Sequence, residues 1–227
     1  KKILNEFKSL SRLRVSSIDP AEIDYELMEV LENDHRLMPH LHLSIQHGDD
    51  LILKRMKRRH LFRDVINLIN EARRRRPEIT FGADIISGFP TETEEDHQDT
   101  LSLMEHVKYG FGYMYAYSER PGTLAGRKME DDVPEETKLR RLQEIVDLQR
   151  KHSAFRTQEF LGQTVEVLIE KTSKKSEEQF SGRNSQSITV VFPRENYKIG
   201  DFYYLPIEFD VPVRDEFNQE NTIITSA

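Results

Sequence analysis

The residues best placed by type and spacing to do chemistry lie in and around Gly82-Ala83-Asp84-Ile85-Ile86-Ser87-Gly88-Phe89-Pro90-Thr91-Glu92. This stretch predicts a buried strand, a tight glycine turn and the start of a helix. In parallel α/β folds ligands sit beyond the carboxyl ends of the strands, where this turn would fall. Asp84 interrupts an apolar strand, and a buried carboxylate without a partner is costly. It either binds a ligand or pairs with a neighbouring arginine. Gly88, directly after Ser87, supplies a positive φ to the turn or lets a ligand approach the backbone, and the two roles are compatible. Ser16, Gln46 and Ser118 fall near other expected strand ends, where neutral donors and acceptors can fix a ribose or an amino-acid group. For each alone, a satisfied structural hydrogen bond is the commoner role. Arg120 can hold a carboxylate bidentately; its plain alternative is a surface ion pair with Glu119 or Glu92. The 227 residues include no cysteine, so this chain alone cannot build a thiolate-held iron–sulfur cluster.

Other chemistries find little support. The spacings of His42, His47 and His60 match no common zinc pattern. There is no P-loop, no GxGxxG and no Gly-x-Ser-x-Gly elbow. Glu92, Glu94, Glu95 and Asp96 read as an acidic helix start, which the helix dipole explains without catalysis.

The elements that must position these residues alternate. After a helix-like lead-in over 1–14, a short β run over 13–18 ends at Asp19-Pro20, and helical periodicity follows at Ile23, Leu27, Val30 and Leu31. Residues 41–46 alternate with period two and stop at Gly48. A helix is predicted over about 62–76, closed by Pro77, then a strand over 79–87. The next helix begins at Thr91 or Thr93, with Thr91 and Glu94 matching a capping box. A strand over 113–118 follows, and a long helix over 134–157 has Pro134 at its first helical position. Strand–helix units of roughly 30 to 40 residues predict a parallel sheet with crossover helices. The strands are too few for a closed eight-stranded barrel, and part of a barrel is preferred over an open sheet. Strand edges left bare by a partial barrel predict poor solubility.

Past Gly162 the pattern changes to short β runs over 164–169, 188–192 and 202–207, which predict a small antiparallel barrel or sheet. The chain thus divides into 1–157 and 158–227. The net charge of −7 leaves any nucleic-acid contact to a local patch. Between Lys171 and Lys198 basic residues outnumber acidic ones six to three. Lys171, Lys174, Lys175 and Arg183 are the candidate phosphate contacts there, with Phe180, Phe192 or Tyr197 as stacking groups. From Asp201 onward the balance turns acidic. Two further basic runs, over 54–59 and 73–76, are dense enough to meet RNA but ordinarily form solvated helix faces. No apolar run spans a bilayer and no signal-peptide pattern opens the chain, so a cytoplasmic location without membrane contact is expected.

Three segments stand in a familiar order: Leu41-His42-Leu43-Ser44-Ile45-Gln46-His47-Gly48-Asp49-Asp50 with Leu53-Lys54-Arg55-Met56, the Gly82–Glu92 stretch, and Tyr115-Ala116-Tyr117-Ser118-Glu119-Arg120-Pro121-Gly122-Thr123. Together they resemble the second half of the radical S-adenosylmethionine (SAM) domain of the methylthiotransferases. The region after Gly162, with Ser181-Gly182-Arg183-Asn184, resembles the TRAM RNA-binding domain that follows it in that family. The likeness covers most of residues 10–202. It implies an α/β fold: a partial (βα) radical-SAM-type barrel with parallel strands, then a small all-β, OB-like TRAM domain.

The resemblance also implies a reaction. The family attaches a methylthio group to carbon 2 of a modified adenosine beside the tRNA anticodon. A [4Fe–4S] cluster held by a CxxxCxxC loop cleaves SAM to a radical, and a second cluster is associated with sulfur donation. Both cysteine sets would lie upstream of Lys1, which makes this chain a carboxy-terminal portion, inactive alone. The implied partners are the anticodon stem-loop of tRNA and a sulfur donor. The implied SAM-binding set is Ser16, Gln46, Asp84, Ser87, Gly88, Ser118 and Arg120. Ser44 and His47 stand where family members often carry Pro and Ser. Up to about Glu105 the chain is closer to the threonylcarbamoyladenosine branch; from about Tyr113 to Asp201 it is closer to the isopentenyladenosine branch. The tail from Tyr203 matches neither well. Two alternatives stay open: a non-catalytic RNA-binding module, and a sister enzyme methylthiolating a ribosomal protein.

Overall fold

The structure is a computed structural model that describes residues 1–174, 176–207 and 222–224. Four strands, β1 (Leu13–Ile18), β2 (Leu37–Gln46), β3 (Thr80–Ser87) and β4 (Phe111–Ala116), form one sheet in sequential order, every neighbouring pair parallel. The connections are helical: α2 (Tyr25–Asn33) between β1 and β2, α3 (Asp50–Arg55) and α4 (Phe62–Arg75) between β2 and β3, and α5 (Glu94–Val107) between β3 and β4. A short α1 (Lys2–Glu6) precedes them, while α6 (Leu124–Lys128) and the long α7 (Glu135–Gln158) follow. Sequential parallel order is what consecutive units of a (βα) barrel give, whereas a doubly wound sheet reverses its order at a switch point.

One face of the sheet is the core. Leu41, Leu43 and Ile45 of β2, Phe81, Ala83 and Ile85 of β3, and Met114 of β4 pack with Leu31, Val65, Ile69, Ala72, Leu103, Met104, Val107 and Ile145 of the helices. Because side chains alternate along a strand, the residues between these occupy the other face. That face carries His40, His42, Ser44, Asp84, Phe111, Tyr113 and Tyr115, and Tyr113 and Tyr115 are exposed.

Local chemistry sets the helix starts. Asp24 and Asp49 accept the backbone N–H groups of Leu27 and Ile52, capping α2 and α3. The capping box on α5 is Thr93 with Asp96, not Thr91 with Glu94. Thr91 lies outside the helix with a φ of 70°. Pro134 is the N-cap of α7 and not its first helical residue. The lead-in is helical only over Lys2–Glu6, and the strand expected over 113–118 runs Phe111–Ala116.

The second unit is a five-stranded sheet in the order β8-β5-β6-β7-β9, built from β5 (Thr164–Thr172), β6 (Gln179–Asn184), β7 (Thr189–Pro193), β8 (Phe202–Pro206) and β9 (Thr222–Ile224). Its pairs are antiparallel except β7 with β9. It has its own core of Val165, Val167, Ile169, Phe180, Ile188, Val190, Phe192 and Leu205. Phe180 and Phe192 are therefore core residues, which corrects the expectation that they offer stacking surfaces. Tyr197 is half-buried and packs on Tyr203 at a ring distance of 4.2 Å.

Candidate functional site

The open face of the sheet is polar at its centre. Asp84 Oδ1 lies 3.1 Å from His42 Nε2, and the Ser44 hydroxyl donates to Asp84 Oδ2 at 3.5 Å. No arginine ion pair forms at this carboxylate among the described residues. The Asp84 side chain is 23% exposed, so it stays reachable from the open face. His42 lies against Phe111 and Tyr113, with ring centroids 5.2 and 5.6 Å away. Gly82 makes this packing possible: a Cβ there would come 2.7 Å from His42 Nδ1 and 3.0 Å from the Phe111 ring.

The other expected ligand contacts are spread around this centre. Ser16 is exposed on β1, and Gln46 ends β2 with a φ of 70°, half-buried. Ser118 and Arg120 are exposed in the loop after β4. The Arg120 carbonyl accepts the Thr123 hydroxyl and backbone N–H, and its guanidinium forms no ion pair with Glu119 or Glu92 among the described residues. Ser87 faces the other way: its buried hydroxyl donates to the Lys138 carbonyl of α7.

Gly88 belongs to a turn organised by Glu92. That carboxylate lies ahead of α5, wholly buried, and accepts the backbone N–H groups of Gly88 at 2.6 Å and Phe89 at 3.0 Å. Arg141 donates to it at 3.1 Å, and His47 Nε2 lies 3.4 Å away. Glu92 is thus the anchor of the βα turn, not part of the acidic helix start that the sequence suggests. Gly88 has a φ of 73°, and a Cβ there would collide with the Lys138 side chain. Its conformation and tight packing both call for glycine. Nearby, Glu94, His97 and Glu144 offer ligand atoms within 4.8 Å of one another, but Arg140 and Arg141 hold Glu94, and Arg140 and His97 hold Glu144.

His47 and His60 are likewise committed separately from His42: His47 Nδ1 accepts the Asp49 N–H, and His60 lies against Asp19 and the Ile45 carbonyl. The arginine run over 73–76 is committed to partners within the chain, with only Arg74 left exposed. Arg73 donates to the Val107 carbonyl, Arg74 and Arg75 pair with Glu71, and Arg76 donates to the Leu31 and Leu37 carbonyls. In the run over 54–59, Arg58 and Arg59 pair with Asp19 and Glu22.

The candidate RNA contacts separate into two places. Lys171 and Lys174 are exposed at the end of the β5–β6 hairpin. Lys175 lies outside the described residues. Arg183 lies where the two sheets meet. There Arg12 donates to the Arg183 carbonyl and to Glu166, Arg14 donates to the carbonyls of Asn184 and Ser185, and the Thr80 hydroxyl donates to the Gln186 carbonyl. These bonds seat the turn after β6 on the amino-terminal ends of the parallel strands. Sequence reasoning missed the seam, although Arg12, Arg14 and Ser16 are polar at alternate positions of a β run, the signal that could have found it.

A parallel half-barrel with a polar open face, joined to a small antiparallel sheet, defines the class. Residues 2–104 match the Radical SAM superfamily, and residues 158–210 match the TRAM domain. Escherichia coli coproporphyrinogen III oxidase, a radical SAM enzyme, shares the fold over 77% of this chain and 46% of its own, with a TM-score of 0.52 at 17% identity. More particularly, over most of its length the chain is similar to radical SAM enzymes named as tRNA methylthio-modifying synthases. It is 60% identical over 196 residues, 86% of its length, to the tRNA-2-methylthio-N(6)-dimethylallyladenosine synthase of Flavobacterium johnsoniae. The proteins of that name from Flavobacterium psychrophilum and Christiangramia forsetii are 58% and 52% identical over 87% and 91% of the chain. The chain spans 41% of the length of the first two relatives. These matches extend through both parts of the chain.

Proposed function

We propose that this chain is the cofactor- and RNA-facing portion of a cytoplasmic tRNA methylthiotransferase. The reaction is addition of a methylthio group to carbon 2 of N(6)-dimethylallyladenosine, the isopentenyl-type base beside the anticodon. The observation that carries this reading is the 60% identity, over 86% of the chain, to a relative of that name. In this reading residues 1–157 carry the barrel portion and residues 158–227 the RNA-binding portion.

The open face suits SAM. His42 and Ser44 hold Asp84 from one side, and an ionised carboxylate offers about four acceptor positions, so capacity remains for an ammonium or a ribose hydroxyl. Gln46, Ser16 and Ser118 add neutral polar groups around it. The Arg120 guanidinium supplies a bidentate partner for the cofactor's carboxylate. Ser87 and Gly88 act through the turn: they lock β3 to α7 and shape the rim. When bound, SAM supplies the radical chemistry; these residues bind it, orient it and limit water. The residues of this chain do not fit a [4Fe–4S] cluster, because no thiolate is available. Cluster ligands and the sulfur donor are assigned to residues outside this chain, which alone is inactive. Lys171, Lys174 and Lys175 meet tRNA phosphates at the hairpin, and Arg183 at the seam.

The test is nucleoside mass spectrometry of tRNA from a strain lacking its own methylthiotransferase and carrying the full gene. A methylthio gain on dimethylallyladenosine is expected. No gain, with the protein soluble and its clusters loaded, overturns the reading in favour of a binding module or a ribosomal-protein modifier.

A further inference from the structure

We infer that the seam between the two sheets is a second binding site, remote from Gly88, that takes a phosphate group. A recess with room of about 180 Å³ opens there between β1, the amino-terminal ends of β2 to β4, and the turn between β6 and β7. Its walls include Arg14, Arg183, Ser17, His40, Phe111 and Gln186, and none of its lining residues is acidic.

Its charge is what points to an anion. Arg14 spends two N–H groups on the carbonyls of Asn184 and Ser185, and a guanidinium has five to give. Carbonyls carry no full charge, so these bonds leave the cation unneutralised. The exposed Glu170 attracts Arg14 only at a distance, and the other carboxylates around the seam are engaged elsewhere. Glu166 accepts from Arg12 and from the Tyr204 hydroxyl, Asp84 is bonded to His42, and Glu170 is exposed. Burial and the charges of Arg12 and Arg183 push Arg14 down to about 10, the mark of a cation held at a cost that an anion would offset.

The walls refine the ligand. His40 stacks on Phe111 at 5.3 Å with their planes 17° apart, and Phe111 meets Tyr113 edge-on at 5.8 Å. Flat apolar surface beside a guanidinium suits a phosphate carried on a base or sugar better than a bare ion. Two sources share this chemistry: a phosphodiester of bound RNA and a free mononucleotide. The recess shares Ser16 and His42 with the open face, and its RNA source rests on the proposed tRNA reading, whereas binding of phosphate or a mononucleotide is read without SAM or a cluster.

Isothermal titration of the intact chain with inorganic phosphate and with adenosine monophosphate tests the inference. Saturable binding is expected, tighter for the nucleotide, and weakened about tenfold or more by Arg14→Gln. Because Arg14 also seats the β domain, Ser17→Asp is the companion variant. Ser17 is exposed, lines the recess, and has a φ of 54° that aspartate tolerates, so the fold is kept while a repelling charge is added. An anticodon stem-loop RNA then distinguishes the sources: competition with phosphate assigns the site to RNA, and simultaneous binding assigns it to a free nucleotide. The absence of saturable binding by either small ligand overturns the inference. So does full binding by a cooperatively melting Ser17→Asp variant.

Discussion

Two charges at opposite ends of the same parallel sheet, one buried and one half-buried, are held in opposite ways. Glu92, under the turn after β3, is wholly buried and surrounded by donors: two backbone N–H groups, the Arg141 guanidinium and the His47 ring. Arg14, at the seam, meets carbonyl oxygens while two like charges press on it and the exposed Glu170 offsets them in part. A buried charge with a full set of partners is part of the scaffold, and removing it strands the partners. One held chiefly by carbonyl dipoles still has electrostatic attraction to offer. The first makes a rigid rim for the open face, and the second makes a place for something to bind.

The largest effect should therefore come from Glu92→Ala. It leaves Arg141 buried without its anion and the turn without its anchor, at a cost of about 3–5 kcal/mol in chemical denaturation. A loss below about 1 kcal/mol would break the contrast by showing that the turn holds itself. Gly88→Ala should follow, at about 1–3 kcal/mol, from the strain of a positive φ and the crowding against Lys138. Arg14→Gln should cost less, about 1–2 kcal/mol, because the lost hydrogen bonds are partly offset by relief of a desolvated cation. If Arg14→Gln proved as damaging as Glu92→Ala, the two charges would be equivalent and the distinction void.

A pH measurement sharpens the seam's side of the comparison. Burial pushes His40 down to about 3, with the Arg14, His42 and Arg183 charges adding to it. Its folded value lies below its ordinary one of 6.5, so the unfolded chain binds the proton more readily. Stability is then fully present above pH 6.5 and falls as the pH drops below it. The expected slope approaches about 1 kcal/mol per pH unit between pH 6 and 5, read from urea midpoints. His40→Asn should flatten it. The smallest effect is expected at the hairpin, where Lys171→Ala should change stability by less than about 0.5 kcal/mol. The same variant should weaken RNA binding and reduce its salt dependence in filter binding.

How much of this was legible beforehand depended on distance along the chain. The strand–helix units were readable because their apolar periodicities are local, as at Leu41, Leu43 and Ile45 or Val65, Ile69 and Ala72. β6 was not anticipated as a strand. Its sequence Gln-Phe-Ser-Gly-Arg-Asn has weak β-propensity, and it is held by pairing to β5 and β7 on both sides. Asp84 was recognisable as a polar interruption, but its partner His42 is 42 residues away and meets it only through parallel register. Glu92 looked like one more acid before a helix. Its burial depends on Arg141, which α7 brings back across nearly 50 intervening residues. The seam was invisible for the same reason, because Arg14 and Ser185 lie 171 residues apart.

The seam's bonds have one further consequence, for descent with variation. Arg12, Arg14 and Thr80 all reach main-chain carbonyls at the end of β6 and in the turn after it, and every amino acid brings the same carbonyl. The β domain could thus exchange its turn side chains freely, drifting toward new ligands, while its attachment to the half-barrel survives each substitution. Apart from Glu166 and Phe202, which Arg12 pairs with and stacks on, the joint is pinned to particular residues only on the barrel's side.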